Sequence, residues 1–258
     1  QLAKLPTNVD CNIYMTLNEV NPACMSRTQA NVFMKSSDKG NVAKNTTSDN
    51  DIIGYTWLMI DLDPVRPADT SSSEAELNKS KEMADKVFHY METIGFEKPV
   101  IAMSGNGYHL QYRIALTNST ENKELIKSCL EALDMIFSDD DVKVDTSVFN
   151  QSRVTKLYGT VAEKGRSTDE RPHRMSYIFG EVTEHKPTDK GYLIKLADMC
   201  PKRDTPQKYN NYGRGDFDIE SWMSEHGLSY RTSHYSNGTK YILDHCPFNH
   251  AHQSPDSA

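Results

Sequence analysis

Trp57-Leu-Met-Ile-Asp-Leu-Asp63, followed at once by Pro64, is an apolar run that ends in two carboxylates spaced i, i+2. In a strand side chains alternate faces with period two, so Asp61 and Asp63 point the same way. Pro64 lacks an N–H and stops the ladder there, which presents the pair at the edge of a sheet. Two carboxylates side by side repel each other unless something positive sits between them, and a hard divalent cation with oxygen ligands is a natural partner. An Asp-x-Asp on its own is a weak signal, because exposed acidic pairs are common at strand ends.

Working outward, Val100–Met103 reads as a short buried strand that runs into Ser104-Gly-Asn-Gly-Tyr-His109. The chain leaves as Leu110-Gln-Tyr-Arg-Ile114, alternating like a second strand. Asn106-Gly107 between two such runs is a hairpin signal, since both residues tolerate positive φ. The small residues also permit a second reading, in which successive free N–H groups form an anion-binding nest flanked by the Ser104 hydroxyl and the His109 imidazole. Farther on, Val142-Lys-Val-Asp145 places Lys143 and Asp145 on one strand face, from which Asp145 is expected to join Asp61 and Asp63. A basic stretch follows, with Arg153, Lys156, Lys164, Arg166, Arg171 and Arg174 against Glu163, Asp169 and Glu170. Such a run is often a solvated hairpin face.

Helices separate these strands. Ser73-x-x-Glu76 is a capping box; Leu77, Ala84, Val87, Phe88, Met91 and Ile94 keep helical spacing behind it, and Gly95 ends the run. A second helix is expected near 120–137, with Leu125, Ile126, Cys129, Leu130, Leu133, Ile136 and Phe137 on one side. Both stripes are ordinary core faces. Strands near 11–17, 57–63, 100–103, 109–115 and 142–148 alternating with helices indicate an α/β or α+β domain. Tyr108, Tyr112 and Tyr158 suit either base stacking or the core, and Arg66 has no role assignable from sequence.

Order and spacing together resemble the archaeo-eukaryotic primase superfamily, in the primase-polymerase branch of phage and plasmid replication proteins. The residues that carry the resemblance are Ile60-Asp-Leu-Asp-Pro-Val-Arg-Pro67, Ser104–His109, Val144-Asp145, Arg153-Val-Thr-Lys-Leu-Tyr-Gly-Thr160, Lys164-Gly165 and Arg171-Pro-His-Arg174. It covers residues from about 10 to 185. The resemblance implies a primase-like catalytic core in which a sheet module lies next to an RNA-recognition-motif-like module. It makes Asp61, Asp63 and Asp145 ligands of two Mg²⁺ or Mn²⁺ ions. It makes Ser104, Gly105, Asn106, Gly107, His109, Lys156 and Arg153 contacts of an incoming nucleoside triphosphate. The implied activity is DNA-templated primer synthesis or extension on a single-stranded template. A replication-initiator or origin-binding module, and a metal-dependent nuclease, are the alternatives. An origin binder needs a DNA-reading element such as a helix-turn-helix, which the sequence does not display.

Composition bounds these readings. The chain has 258 residues, net charge −7 and 5 cysteines. Its pI is near 5.7, its mean hydropathy is −0.67, and no apolar run is long enough to span a membrane. An acidic balance weighs against a broad non-specific DNA-binding surface but says little about a local groove. Scattered, odd-numbered cysteines suit reduced thiols in a cytoplasm, and the resemblance implies that the cell is a bacterial or archaeal host. Residues 1–185 are expected to form the catalytic domain and 186–258 a Pro- and charge-rich linker with a small appendage. That tail contains a short helix at 217–227 and a strand at 240–243. It ends in Cys246-Pro-Phe-Asn-His-Ala-His252, which resembles half of a zinc knuckle; zinc is expected only in a longer chain, through Cys246 and His252. The missing initiator Met suggests a piece of a longer protein, and the resemblance implies a helicase as the missing domain or partner.

Overall fold

The computed structural model describes residues 12–27, 47–180, 184–200, 218–235 and 238–244. Its strands are β1 (Tyr14–Thr16), β2 (Glu19–Val20), β3 (Ile52–Pro64), β4 (Val100–Met103), β5 (Tyr108–Thr117), β6 (Val142–Val144), β7 (Val154–Lys156), β8 (Val161–Ala162), β9 (Arg174–Met175), β10 (Tyr177–Ile178), β11 (Tyr230–Tyr235) and β12 (Gly238–Leu243). The helices are α1 (Glu74–Thr93), α2 (Thr120–Phe137), α3 (Lys190–Ala197) and α4 (Ile219–Glu225). The protein is an α+β protein built on an antiparallel sheet ordered β10-β4-β5-β3-β2, with β6 also paired to β3. From β3 to β6 the chain runs β-α-β-β-α-β, with sheet order β6-β3-β5-β4.

The long strand β3 sorts its side chains by the alternation read from sequence. Leu58, Ile60 and Leu62 are fully buried in the core that α1 and α2 complete, together with Leu110, Tyr112 and Ile114 of β5. The opposite face of these two strands carries the cross-strand pairs Trp57–Arg113, Met59–Gln111 and Asp61–His109. A register shift between Tyr55 and Trp57 is held by Asn18, whose Oδ1 accepts from the N–H groups of Thr56 (2.9 Å) and Trp57 (3.3 Å). Ser80 of α1 ties β3 to β5: its hydroxyl donates to the Leu62 carbonyl (2.7 Å) and accepts from the Tyr108 N–H (3.1 Å).

The helix signals match the structure. Ser73 and Glu76 form the reciprocal capping box of α1. Gly95, at φ +100, closes the helix with Phe96 N–H reaching the Met91 carbonyl and Gly95 N–H the Glu92 carbonyl. Ile126, Cys129, Leu130 and Leu133 bury the expected face of α2, whereas Ile136 in its last turn is exposed. Tyr108 and Tyr112 belong to the core. Burial pushes the Cys129 thiol up to about 12, as befits a packed and unreactive side chain.

Three elements depart from expectation. The first strand covers only Tyr14–Thr16 and pairs with β7, outside the main sheet. The strand expected over 142–148 ends at Val144, because Asp145 turns the chain with its own carboxylate on the Ser147 N–H (2.8 Å). The division expected after residue 185 falls instead between Lys202 and Arg203. Its cause is α3, whose Leu193 and Leu196 are fully buried in the core of the first unit. The second unit contains α4, stopped at Gly227 (φ +64), and the antiparallel hairpin β11–β12, of which the sequence showed only the second strand. Cys246 and His252 lie outside the described residues, as does most of the Pro-rich stretch before α4.

Candidate active site

The face of β3 and β5 turned away from α1 and α2 floors a cleft of about 410 Å³. Asp61, Asp63, Arg66, Ser104, Asn106, His109, Arg153, Lys156 and Lys164 all reach it. Two residues apart on β3, Asp61 and Asp63 share that face as their spacing predicts. Across the sheet Asp61 faces His109 on β5 and, through the Asp145 N–H to its carbonyl (2.9 Å), Asp145 just past β6. Asp63 faces Lys143.

Charge is unevenly satisfied here. His109 Nε2 lies 3.3 Å from Asp61 Oδ1, and this ion-pair contact is the only polar neighbour found for that buried oxygen among the described residues. Burial alone would raise the Asp61 pKa; the positive charges of His109, Arg153 and Arg66 outweigh it and bring the carboxyl below its ordinary value. Asp63 goes the other way: burial and the neighbouring Asp61 charge push its carboxyl up, against the pull of Arg66 and Lys164. Burial would lower His109, yet Asp61 and Asp63 outweigh it and raise the imidazole above its ordinary value.

Asp145 is brought beside Asp61 by its backbone, but its carboxylate is engaged elsewhere. One oxygen holds the Ser147 N–H and the other lies 3.5 Å from Arg153 Nη2. Among the described residues no group of three or more His, Cys, Asp or Glu side chains is arranged to hold a metal ion. Asp61 and Asp63 by themselves fit a hard divalent cation: one buried oxygen met only by His109, and one carboxylate whose charge is disfavoured where it stands. Asp145 is not among the residues that line the cleft, and its second oxygen lies beside Arg153 instead.

The glycine turn has a different reason from an anion nest. It is a four-residue loop between Met103 and Tyr108 in which Gly105, at φ +107, takes the positive φ and Asn106-Gly107 do not. Its N–H groups are largely engaged: Ser104 N–H on the Gly107 carbonyl, Gly107 N–H on Ser104 Oγ, and Gly105 N–H toward Met103 Sδ. The glycines are needed because the turn is pressed between strands. A Cβ on Gly105 would stand 2.2 Å from Ala162 Cβ, and one on Gly107 would stand 2.4 Å from the Leu62 carbonyl oxygen. Asn106 Oδ1 accepts from the Ser72 N–H (2.9 Å), which ties the turn to the start of α1.

The cations divide into two sets. Arg66, Arg153, Lys156 and Lys164 line the cleft. Arg66 folds the 64–70 loop, donating to the carbonyls of Pro64 (3.1 Å) and Thr70 (3.1 Å), and lies 3.4 Å from Asp63. Lys156 is buried, with Nζ on the Val161 carbonyl (2.6 Å). Arg171 and Arg174 are scaffold instead. Arg171 grips Glu76 through two 2.7 Å contacts, and Arg174 donates to the Ser72 carbonyl (2.6 Å), both at the start of α1.

Tyr158, whose role the sequence left open, lies beneath His109. Its hydroxyl is 2.7 Å from His109 Nδ1 and accepts from Gln111 Nε2 (2.8 Å), which also donates to Thr155 Oγ1 (3.2 Å). Both His109 nitrogens therefore face protein groups, Tyr158 on one side and Asp61 on the other. Gln111 carried no motif, Thr155 lay in the 153–160 stretch with no role of its own, and nothing in their spacing reveals this network.

No family model matches the chain, and no curated protein matches it. No helix among the described residues is long and apolar enough to cross a membrane.

Proposed function

We propose that this chain is a DNA-templated nucleotidyltransferase that makes or extends primers on single-stranded DNA, in the manner of the primase-polymerases it resembles. The β-α-β-β-α-β order with its sites on the open sheet face is in keeping with an RNA-recognition-motif-like module. One observation carries the reading: a carboxylate pair on that face, with one buried oxygen met by His109 alone, shares one cleft with four cationic side chains. Such a cleft suits a polyanion bound together with divalent cations.

Asp61 and Asp63 would hold Mg²⁺ or Mn²⁺, joined by Asp145 once Arg153 turns from it. Bound there, the ions would stabilise the negative charge of an in-line displacement at phosphorus. Arg153, Lys156 and Lys164 face the triphosphate and stabilise charge that builds on the departing pyrophosphate. His109 keeps Asp61 ionised and oriented, and Tyr158 fixes its ring. Ser104, Gly105, Asn106 and Gly107 shape the floor on which the nucleotide rests. Template, nucleoside triphosphates and a helicase are the partners this activity needs, in the cytoplasm of a cell that hosts a phage or plasmid.

The test is incubation with single-stranded template, labelled nucleotides and Mg²⁺ or Mn²⁺. New oligomers mean a primase, and extension of a supplied primer alone means a polymerase. Shortened template means a nuclease built on the same carboxylates, and an unchanged template with no product overturns the catalytic reading.

A further inference from the structure

A second cavity, of about 650 Å³, opens on the same sheet face beside the cleft. Trp57, Arg113, His185, Val100 and Ile178 line it, with Glu184 at its wall. Its character is unlike that of the cleft. Trp57 and Arg113 are cross-strand partners, and the guanidinium lies 5.5 Å above the indole centroid. Arg113 Nη1 donates to the carbonyls of Thr56 (2.7 Å) and Ile114 (3.1 Å), which anchors the guanidinium near the ring and engages part of its hydrogen-bonding capacity. His185 meets the indole edge-on at 6.2 Å and is itself held by the Lys98 carbonyl (2.9 Å).

We propose that this cavity binds an unpaired nucleobase. Rigid aromatic and guanidinium planes flanked by apolar side chains favour a flat π-system. A phosphate is disfavoured, because Glu184 offsets the one arginine and that arginine is already turned to two carbonyls. Polar edges of a base meet Glu184 as acceptor and the Gln111 amide at the back wall.

The cavity is also wired to the cleft. Gln111, Thr155 and Tyr158 line it, and Gln111 holds the Tyr158 hydroxyl that in turn holds His109 beside Asp61. A base seated against Gln111 thus bears on the group that orients a carboxylate of the catalytic pair. The inference rests on the nucleotidyl-transfer reading only for the two sources of the base, which are a free nucleotide and a single strand.

Trp57 is its own reporter, since the chain has 2 tryptophans and the other, Trp222, lies in the second unit. In the full-length Trp222→Phe variant, with chelator present, adenosine is expected to quench the emission saturably. ATP quenching alongside adenosine points to the free nucleotide as source. Quenching by a single-stranded oligonucleotide, absent for an abasic strand of equal length, points to the strand. With 2-aminopurine riboside as probe, read by anisotropy, Trp57→Leu is expected to weaken binding at least fivefold. The milder His185→Ala is expected to weaken it at least twofold. Equal responses to abasic and base-bearing ligands, or no saturable response to any of them, overturn the proposal. Primer synthesis without a Trp57 response overturns the cavity alone; a Trp57 response without synthesis upholds the cavity and removes the enzyme reading.

Discussion

Asp63→Asn is expected to stabilise the protein in chelator and to remove its stabilisation by Mn²⁺. Two residues apart on a strand, the carboxylates are roughly 7 Å apart. At an effective dielectric near 20, their repulsion is about 2 kcal/mol. Arg66, 3.4 Å from Asp63, offsets part of this, and the Asp63 side chain is 46% exposed, so water screens more of it. A net cost of about 1 kcal/mol is a fair allowance after that discount. The sign follows from Asp63: a carboxyl pushed up by burial and a like charge is less comfortable ionised in the fold than in the unfolded chain. Arg66 retains its two carbonyl acceptors in the variant. Asparagine should therefore raise the melting temperature by about 2–4 °C. In the wild type, Mn²⁺ at a hundred times its dissociation constant should add about 2.7 kcal/mol. The variant, with a neutral ligand in place of a carboxylate, should lose most of that gain. Thermal unfolding followed by circular dichroism, with chelator and with Mn²⁺, reads both effects. A variant that melts below wild type in chelator, or that keeps the full Mn²⁺ response, would refute the electrostatic account of the pair.

Other expectations concern the scaffold. A chain ending at Lys202 should unfold cooperatively, whereas one ending at Asp189 should not fold, since it deletes Leu193 and Leu196 from the core; comparable melts for the two would show that α3 is dispensable. Tyr112→Phe removes a buried hydroxyl without a partner and should be neutral or stabilising by up to about 2 kcal/mol, measured by urea unfolding. Gly105→Ala must accept φ +107 and a Cβ 2.2 Å from Ala162, and should cost about 2–4 kcal/mol in the same assay. For Asp49, burial would raise the carboxyl, but hydrogen bonds from Ser152 and the charge of Lys123 hold it at about 2. Its contribution is therefore present above the unfolded value near 4 and fades as pH falls from there through about 2, so Asp49→Asn should flatten this part of the acid-unfolding curve.

Local information determined much of this protein without reference to the fold. Alternation along Trp57–Asp63 put Leu58, Ile60 and Leu62 inside and the two carboxylates outside, because a strand has no other way to place them. Ser73, Glu76 and Gly95 bounded α1 because helix ends need donors, acceptors and a left-handed residue within a few positions. What required tertiary structure was every contact between segments distant in sequence. The Asp145 backbone reaches Asp61, yet its carboxylate lies beside Arg153 and not among the residues lining the cleft, a placement set by where β6 ends and β7 begins. Gly105 and Gly107 suited a hairpin or an anion nest in sequence, and only the fold shows that a side chain there would meet Ala162 and the Leu62 carbonyl. Tyr158 could have stacked or packed; only the approach of β7 to β5 places its hydroxyl on His109. Leu193 and Leu196, behind a Pro-rich break, looked like tail and are core. Periodicity reports which face a residue is on, whereas what meets that face is decided by the packing of other parts of the chain.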